Sequence, residues 1–209
     1  MNLTTVEGMR SEIFVPVTPK PVFTELKKPL SECKVAFITA GGIHKKDQTP
    51  FNTSGDFSYR VIPFDTPSSN LMVTHGGFDN SDINKDVNAM FPIDRLHELV
   101  AEGFIGSLPE ETYTFMGGGG NVEKFRNETG PEIAKKLKAQ GVDIVLCTGG
   151  CGTCHRSATI VTRGCEAEGM SCCVIAALPP VIDRLRALSP YWRQGQPHLQ
   201  DGAFTPVYG

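Results

Sequence analysis

One stretch constrains this chain more than any other. Residues 142–148 (VDIVLCT) form a short run of apolar and β-branched side chains, and Gly149-Gly150-Cys151-Gly152-Thr153-Cys154-His155-Arg156-Ser157 follows at once. The run reads as a strand buried on both faces, the glycines as the turn that leaves it, and the segment up to about residue 168, stopped by Gly169, as a helix. A strand that passes through a tight turn into a helix belongs to a sheet of parallel strands covered by helices on both faces. Other segments carry the same alternation. Residues 34–40 (KVAFITA) read as a strand running into Gly41-Gly42, residues 71–75 as a second strand and 113–116 as a third. A helix is expected over 93–102, apolar at 93, 96, 99 and 100, and another begins at an N-cap Thr129 with Pro131 just inside and Gly141 at its end. A last strand is expected over 172–177, whereas the polar segment 45–70 reads as irregular. The expected fold class is therefore α/β, a mainly parallel sheet with helices on both faces and a nucleophile at a strand-to-helix turn.

The 209 residues suit one domain, 1–209. Pro16, Pro19, Pro21 and Pro29 make residues 1–32 an extended N-terminal arm, and the polar residues 183–209 read as a C-terminal tail. A net charge of −3 with no Lys/Arg block leaves no footprint for nucleic acid or a membrane surface. No apolar run approaches the ~20 residues of a spanning helix, and the first residues lack a signal-peptide pattern, so a cytoplasmic location is expected. Seven cysteines, an odd number, do not suggest a disulfide scaffold in a chain of this size. All but Cys33 lie from Cys147 to Cys173.

A cysteine at a helix N-terminus meets backbone N–H groups and the positive end of the dipole, which favour its thiolate. Cys151 has that place, with His155 and Arg156 adding cationic character. Cys154 can then attack whatever bond Cys151 forms and leave a disulfide. Two other readings stay open at this point: a zinc site completed by Cys172, Cys173, His75 or His155, and a thioredoxin-like oxidoreductase. No second ligand pair stands at zinc spacing, so no metal is expected; the CxxC also falls late in the chain for thioredoxin. His75, at a strand end, is placed either as a general acid/base or as a support for its loop. Asp56 and Arg60 lie in a polar cluster, 54–60, where Arg60, like Arg156, could hold a carboxylate as a bidentate pair. Gly117–Gly120 match no phosphate-binding pattern and read as either a flexible or a substrate-lining turn. The other five cysteines read as core fillers.

Several segments in order carry a resemblance: TSGDFSYR (53–60), VTHGGFDNSDINKDVNAMFPIDRLHEL (73–99), FMGGGG (115–120), GGCGTCHRSA (149–158) and AALPPV (176–181). Together they resemble the glycine/sarcosine/betaine/D-proline reductase selenoprotein B family, and most closely its D-proline branch. The likeness runs from LTTVEG (3–8) to AALPPV and weakens from about residue 183. In that family, position 151 is usually selenocysteine; here it is Cys. The resemblance implies a nucleophile-bearing subunit that reductively opens D-proline at its α-carbon–nitrogen bond to give 5-aminovalerate. It implies a pyruvoyl group on a partner subunit, a hetero-oligomer and an electron-donating reductase. Residue 151 would attack the α-carbon, Cys154 would resolve the adduct, and His155 could deliver a proton. A paralogue acting on glycine, sarcosine or betaine and a CxxC redox or zinc-binding accessory protein are the alternatives.

Overall fold

The computed structural model describes residues 24–119 and 122–176. Its strands are β1 (Val35–Thr39), β2 (Ile43–Lys45), β3 (Tyr59–Pro63), β4 (Leu71–Val73), β5 (Glu111–Phe115), β6 (Ile144–Gly149) and β7 (Ser171–Ala176). Its helices are α1 (Ser81–Lys85), α2 (Ile93–Ala101), α3 (Val122–Lys124), α4 (Gly130–Ala139) and α5 (Gly152–Ala167). Five strands form one sheet in the order β3-β5-β1-β6-β7. Within it β5, β1, β6 and β7 run parallel, and only the edge strand β3 is antiparallel. The mainly parallel sheet read from the sequence is what the chain forms.

Strand side chains alternate between faces, and each face has its own core. Ala36 and Ile38 of β1 and Ala40 just after it, with Tyr113, Phe115, Val145 and Cys147, pack against Ile133, Ala134 and Leu137 of α4 and Ala158, Val161 and Cys165 of α5. Val35, Phe37 and Ile144 point the other way, onto Ile93 and Leu96 of α2 and onto Ile43, Leu71 and Val73. Helices α4 and α5 meet with a glycine from each at the crossing. A methyl group on Gly130 would fall 3.5 Å from the Cα of Val161, and one on Gly164 3.4 Å from the Gly130 backbone.

Three expectations need correction. The strand over 71–75 is the short β4, and it pairs antiparallel with β2 in a separate two-stranded sheet rather than joining the main one. The segment 45–70 is not wholly irregular, because it contains β3; an edge strand paired on one side needs little apolar signal. Thr129 is no N-cap. Its φ of −60° and ψ of −46° are helical, inside a π-helical turn over Phe125–Thr129 that runs on into α4, and its hydroxyl donates to the Phe57 carbonyl. Residues 1–23 of the expected arm and all of the expected tail, 183–209, lie outside the described residues.

The sheet order also fixes where a ligand can sit. From the central β1 the chain moves first toward β5 and β3 and later to the other side, toward β6 and β7. Open α/β sheets bind ligands at such a switch point, outside the carboxyl ends of the strands. Here those ends lead into Gly41-Gly42, Gly117–Gly119 and Gly149–Cys151.

Candidate active site

Cys151 caps α5. With φ −108° and ψ 171° it is extended, and its sulfur accepts the Cys154 backbone N–H at 3.2 Å. The sequence dictates this, since Gly149 and Gly150 allow β6 to turn sharply and Gly152 opens the helix. Methyl groups on Gly149 and Gly150 would meet the Cys154 backbone at 3.1 Å and the Phe78 ring at 2.3 Å. One helical turn on, Cys154 is fully buried, with its sulfur 2.7 Å from that of half-buried Cys151.

The loop after β4 supplies the third member. His75 Nε2 stands 2.9 Å from Cys154 Sγ and 3.8 Å from Cys151 Sγ. Its other nitrogen, Nδ1, accepts the Gly77 backbone N–H at 2.8 Å, and Asn80 Nδ2 donates to the His75 carbonyl at 2.7 Å. Because Nδ1 is an acceptor, a neutral His75 carries its proton on Nε2, the nitrogen turned to the sulfurs. The hydrogen bonds then run in one direction: Gly77 N–H to His75, His75 Nε2–H to Cys154, and the Cys154 thiol to Cys151. Thr153 Oγ1, 3.1 Å from Cys151 Sγ, adds another donor. Every donor in the cluster leads toward Cys151.

The acidities follow from this. Hydrogen bonds from Cys154, His75, Thr153 and the Cys154 amide outweigh burial and hold the Cys151 thiol far below the ordinary range. Cys154 goes the other way, pushed well up by burial and by donating to a neighbouring thiolate. One cysteine is a thiolate and its neighbour keeps a proton.

His75, Cys151 and Cys154 place three potential metal-ligand atoms within 4.8 Å of one another. A histidine that ligates a metal through one nitrogen normally donates its other N–H to an acceptor. In His75 the other nitrogen faces a backbone N–H, so Nε2 is set up to donate rather than to ligate. Of the remaining candidates for a zinc site, His155 turns Nδ1 to the Cys151 carbonyl, and the two cysteines are elsewhere. Cys172 and Cys173 lie near the start of β7, opposite Val145 and Leu146, while it is Ala176 that pairs with Gly149 beside the dithiol.

Glycine backbone surrounds the pair. A methyl on Gly118 would lie 2.9 Å from His75 Nε2, one on Gly117 2.7 Å from the Cα of Cys154, and one on Gly77 3.5 Å from the Cβ of Cys151. Gly117 and Gly118 of the run thus line the site, with Gly119 packed in turn on Ser54 and Gly55. Among the other residues singled out from the sequence, His155 is fully buried with Nδ1 on the Cys151 carbonyl at 2.6 Å, so this nitrogen fixes the turn and does not face sulfur. Arg156 is buried on α5. Arg60 donates to the carbonyls of Thr49 and Tyr59 and to Ser58 Oγ, and lies 4.1 Å over the Phe51 ring. Asp56 accepts from Asn52 and Ser58 and lies 3.8 Å from Arg60; burial opposes its ionisation, but these partners hold its carboxyl below the usual range. Both residues order the 49–60 loop, whose Thr53 approaches Gly76 at the rim of the site. Thr153, Gly77 and Phe78 were not picked out from the sequence, although position 153, in the first turn after a cysteine cap, is where a hydroxyl can reach that sulfur.

Comparison with known proteins adds independent findings. Residues 5–150 match the model of the glycine/sarcosine/betaine reductase selenoprotein B family, a match that ends just before Cys151. The chain is 55% identical over 181 residues to D-proline reductase subunit gamma of Acetoanaerobium sticklandii, covering 87% of this chain and 75% of that one. It is 31% identical to glycine reductase complex component B subunit gamma of Carboxydothermus hydrogenoformans and 30% identical to sarcosine reductase complex component B subunit beta of Peptoclostridium acidaminophilum. Each of these matches covers 84% of this chain but only 42% of the relative, so the chain spans less than half of their length. No solved structure matches the chain.

Proposed function

We propose, for a chain that belongs to the glycine/sarcosine/betaine reductase selenoprotein B family, the role of nucleophile-bearing subunit in a D-proline-reductase-like enzyme, an oxidoreductase that opens D-proline to 5-aminovalerate. The observation that carries this reading is the one-way run of hydrogen bonds ending at Cys151.

The Cys151 thiolate attacks the α-carbon: a sulfur–carbon bond forms, the carbon–nitrogen bond breaks, and nitrogen takes the electron pair and a proton from solvent. Cys154 then attacks Cys151 Sγ. A sulfur–sulfur bond forms, the sulfur–carbon bond breaks, and the α-carbon keeps the pair and takes the proton that leaves Cys154. His75 Nε2–H, 2.9 Å away, stabilises the charge that develops on Cys154 as it attacks. The substrate gains two electrons and two protons, the two cysteines become a disulfide, and an external dithiol reductase restores them.

A pyruvoyl carbonyl on a partner subunit would supply electron withdrawal that makes the substrate nitrogen a leaving group. The side-chain-free rim at Gly76, Gly77 and Gly119, exposed beside half-buried Cys151, leaves room for such a group. In relatives that carry selenocysteine at this place, selenium ionises without help; a cysteine here depends on its converging donors. Seven free cysteines fit a reducing, cytoplasmic setting. Among the described residues no helix is long and apolar enough to cross a membrane.

Mass spectrometry of the chain mixed with a pyruvoyl-bearing partner and D-proline tests the reading. A 151–154 disulfide that forms only with both present supports it. Unchanged thiols in a partner-bound chain given D-proline overturn it.

A further inference from the structure

The hydrogen-bond run explains reactivity but says nothing of how the site tells one amine from another. Around Cys151 much of the wall is backbone, since Gly76, Gly77, Gly117, Gly118, Gly119 and Gly150 present no side chain, and His75 and Thr153 turn polar atoms to the sulfur. Phe78 offers a hydrocarbon side chain instead. Its ring lies flat enough on Gly150 that a methyl there would fall 2.3–2.6 Å from three of its carbons, Cε1, Cζ and Cδ1. The same ring centres 4.5 Å from the His75 imidazole. Phe78 is only half-buried, and it follows two exposed glycines. An aromatic ring left partly open beside a nucleophile, among glycines and polar groups, gives the site an apolar surface.

The geometry points to Phe78 as the residue that selects for the aliphatic ring of the substrate, packing against the methylenes of a cyclic secondary amino acid while its α-carbon lies at Cys151. This rests on the D-proline reading above. Phe78 touches no reacting atom; it holds the part of the substrate that does not react. A pocket contact with one or two methylenes changes discrimination by about tenfold or more.

The test uses the complex reconstituted with its pyruvoyl partner and compares D-proline with N-methyl-D-alanine, an α-amino acid with a secondary nitrogen but no ring. Phe78→Ala is expected to raise KM for D-proline about tenfold with kcat within about twofold, and to leave N-methyl-D-alanine nearly unaffected. Phe78→Leu is expected to restore most of the D-proline affinity. Iodoacetamide labelling of Cys151 should be as fast in Phe78→Ala as in the parent, which shows the dithiol intact. Equal loss with both substrates, or slowed labelling, means that Phe78 only supports the fold and overturns the proposal. No change with either substrate overturns it as well, while leaving the D-proline reading standing. A parent complex that consumes N-methyl-D-alanine but not D-proline overturns both.

Discussion

Two groups of thiols lie at opposite ends of the same helix. At the start of α5, Cys151 and Cys154 sit where β6 ends; toward its finish, Cys165 faces Cys172 of β7 and Cys147 of β6. Both groups touch the same apolar core. Burial dominates for Cys147 and Cys172 and pushes their thiols well up, with Cys172 also hydrogen bonded to Cys165. At Cys151 burial is outweighed by donors from four directions. Cysteine content therefore says little about reactivity. What separates the groups is convergence: four donors meet on the one sulfur of Cys151, whereas at Cys147 and Cys172 burial outweighs the few hydrogen bonds present.

The contrast can be broken most forcefully at its reactive end. Cys151→Ser should abolish D-proline turnover in the complex, by at least about 10³-fold, whereas Cys172→Ala should leave it within about twofold; turnover assays of the two variants side by side decide this. Cys154→Ser should still react once. Its adduct on Cys151 should persist, giving a burst of one equivalent visible in the intact mass, and steady turnover should fall about 10²-fold or more.

His75→Ala sharpens the comparison by removing the donor that the buried thiols never had. Labelling of Cys151 by iodoacetamide, nearly independent of pH above about 6 in the parent, should show its inflection moved to higher pH, because one of the converging donors is lost. An unchanged inflection would separate His75 from the acidity of the pair.

At the buried end the effects concern stability. Cys147→Ser places a polar hydroxyl in a fully buried apolar position, where the sulfur reaches the Thr148 carbonyl at 3.7 Å, and should cost about 1–3 kcal/mol without changing the labelling of Cys151; urea unfolding measures it. The smallest effect belongs to Glu166, near the same end of α5. Burial raises its carboxyl to about 7 against an ordinary 4.5, despite Arg163 nearby. Between those values the native state holds a proton that the unfolded chain has released, so stability falls as pH rises from about 4.5 to 7 and does not fall further from this cause above 7. Glu166→Gln should thus be about 1–2 kcal/mol more stable than the parent at pH 8 and no different at pH 4. Thermal melts at both pH values check the sign.

The reactive end was also the more legible one. The apolar run of β6, its glycine turn and two cysteines one helical turn apart are local signals, and they place the nucleophile without any long-range information. The family resemblance gave Cys151 and Cys154 their roles. His75 was visible as a residue at a strand end, but its neighbour Cys154 lies 79 positions away, and nothing local reveals that the Gly77 amide decides which of its nitrogens carries the proton. Arg60 and Asp56 looked like ligand-binding groups because charge and hydrogen-bonding capacity are evident in a sequence, whereas their use in ordering a loop is not. β3 leaves little apolar signal in the sequence because it pairs on one side only. The separate pairing of β2 with β4 depends on a fold-back at Gly42, whose φ of +78° and tight approach to the Thr74 carbonyl belong to the folded chain.

The site draws on segments far apart in the chain: the loop after β4, the glycines after β5 and the turn between β6 and α5. The turn brings the Cys154 and Thr153 donors and the loop after β4 brings His75, and they converge on one sulfur only in the folded chain. During synthesis, and in any unfolded excursion, Cys151 is an ordinary, mostly protonated thiol, and its full nucleophilicity arrives with the fold. Folding thus acts as a safety catch on the chemistry, and the rate at which Cys151 takes up an alkylating agent is a clock for the arrival of the native state.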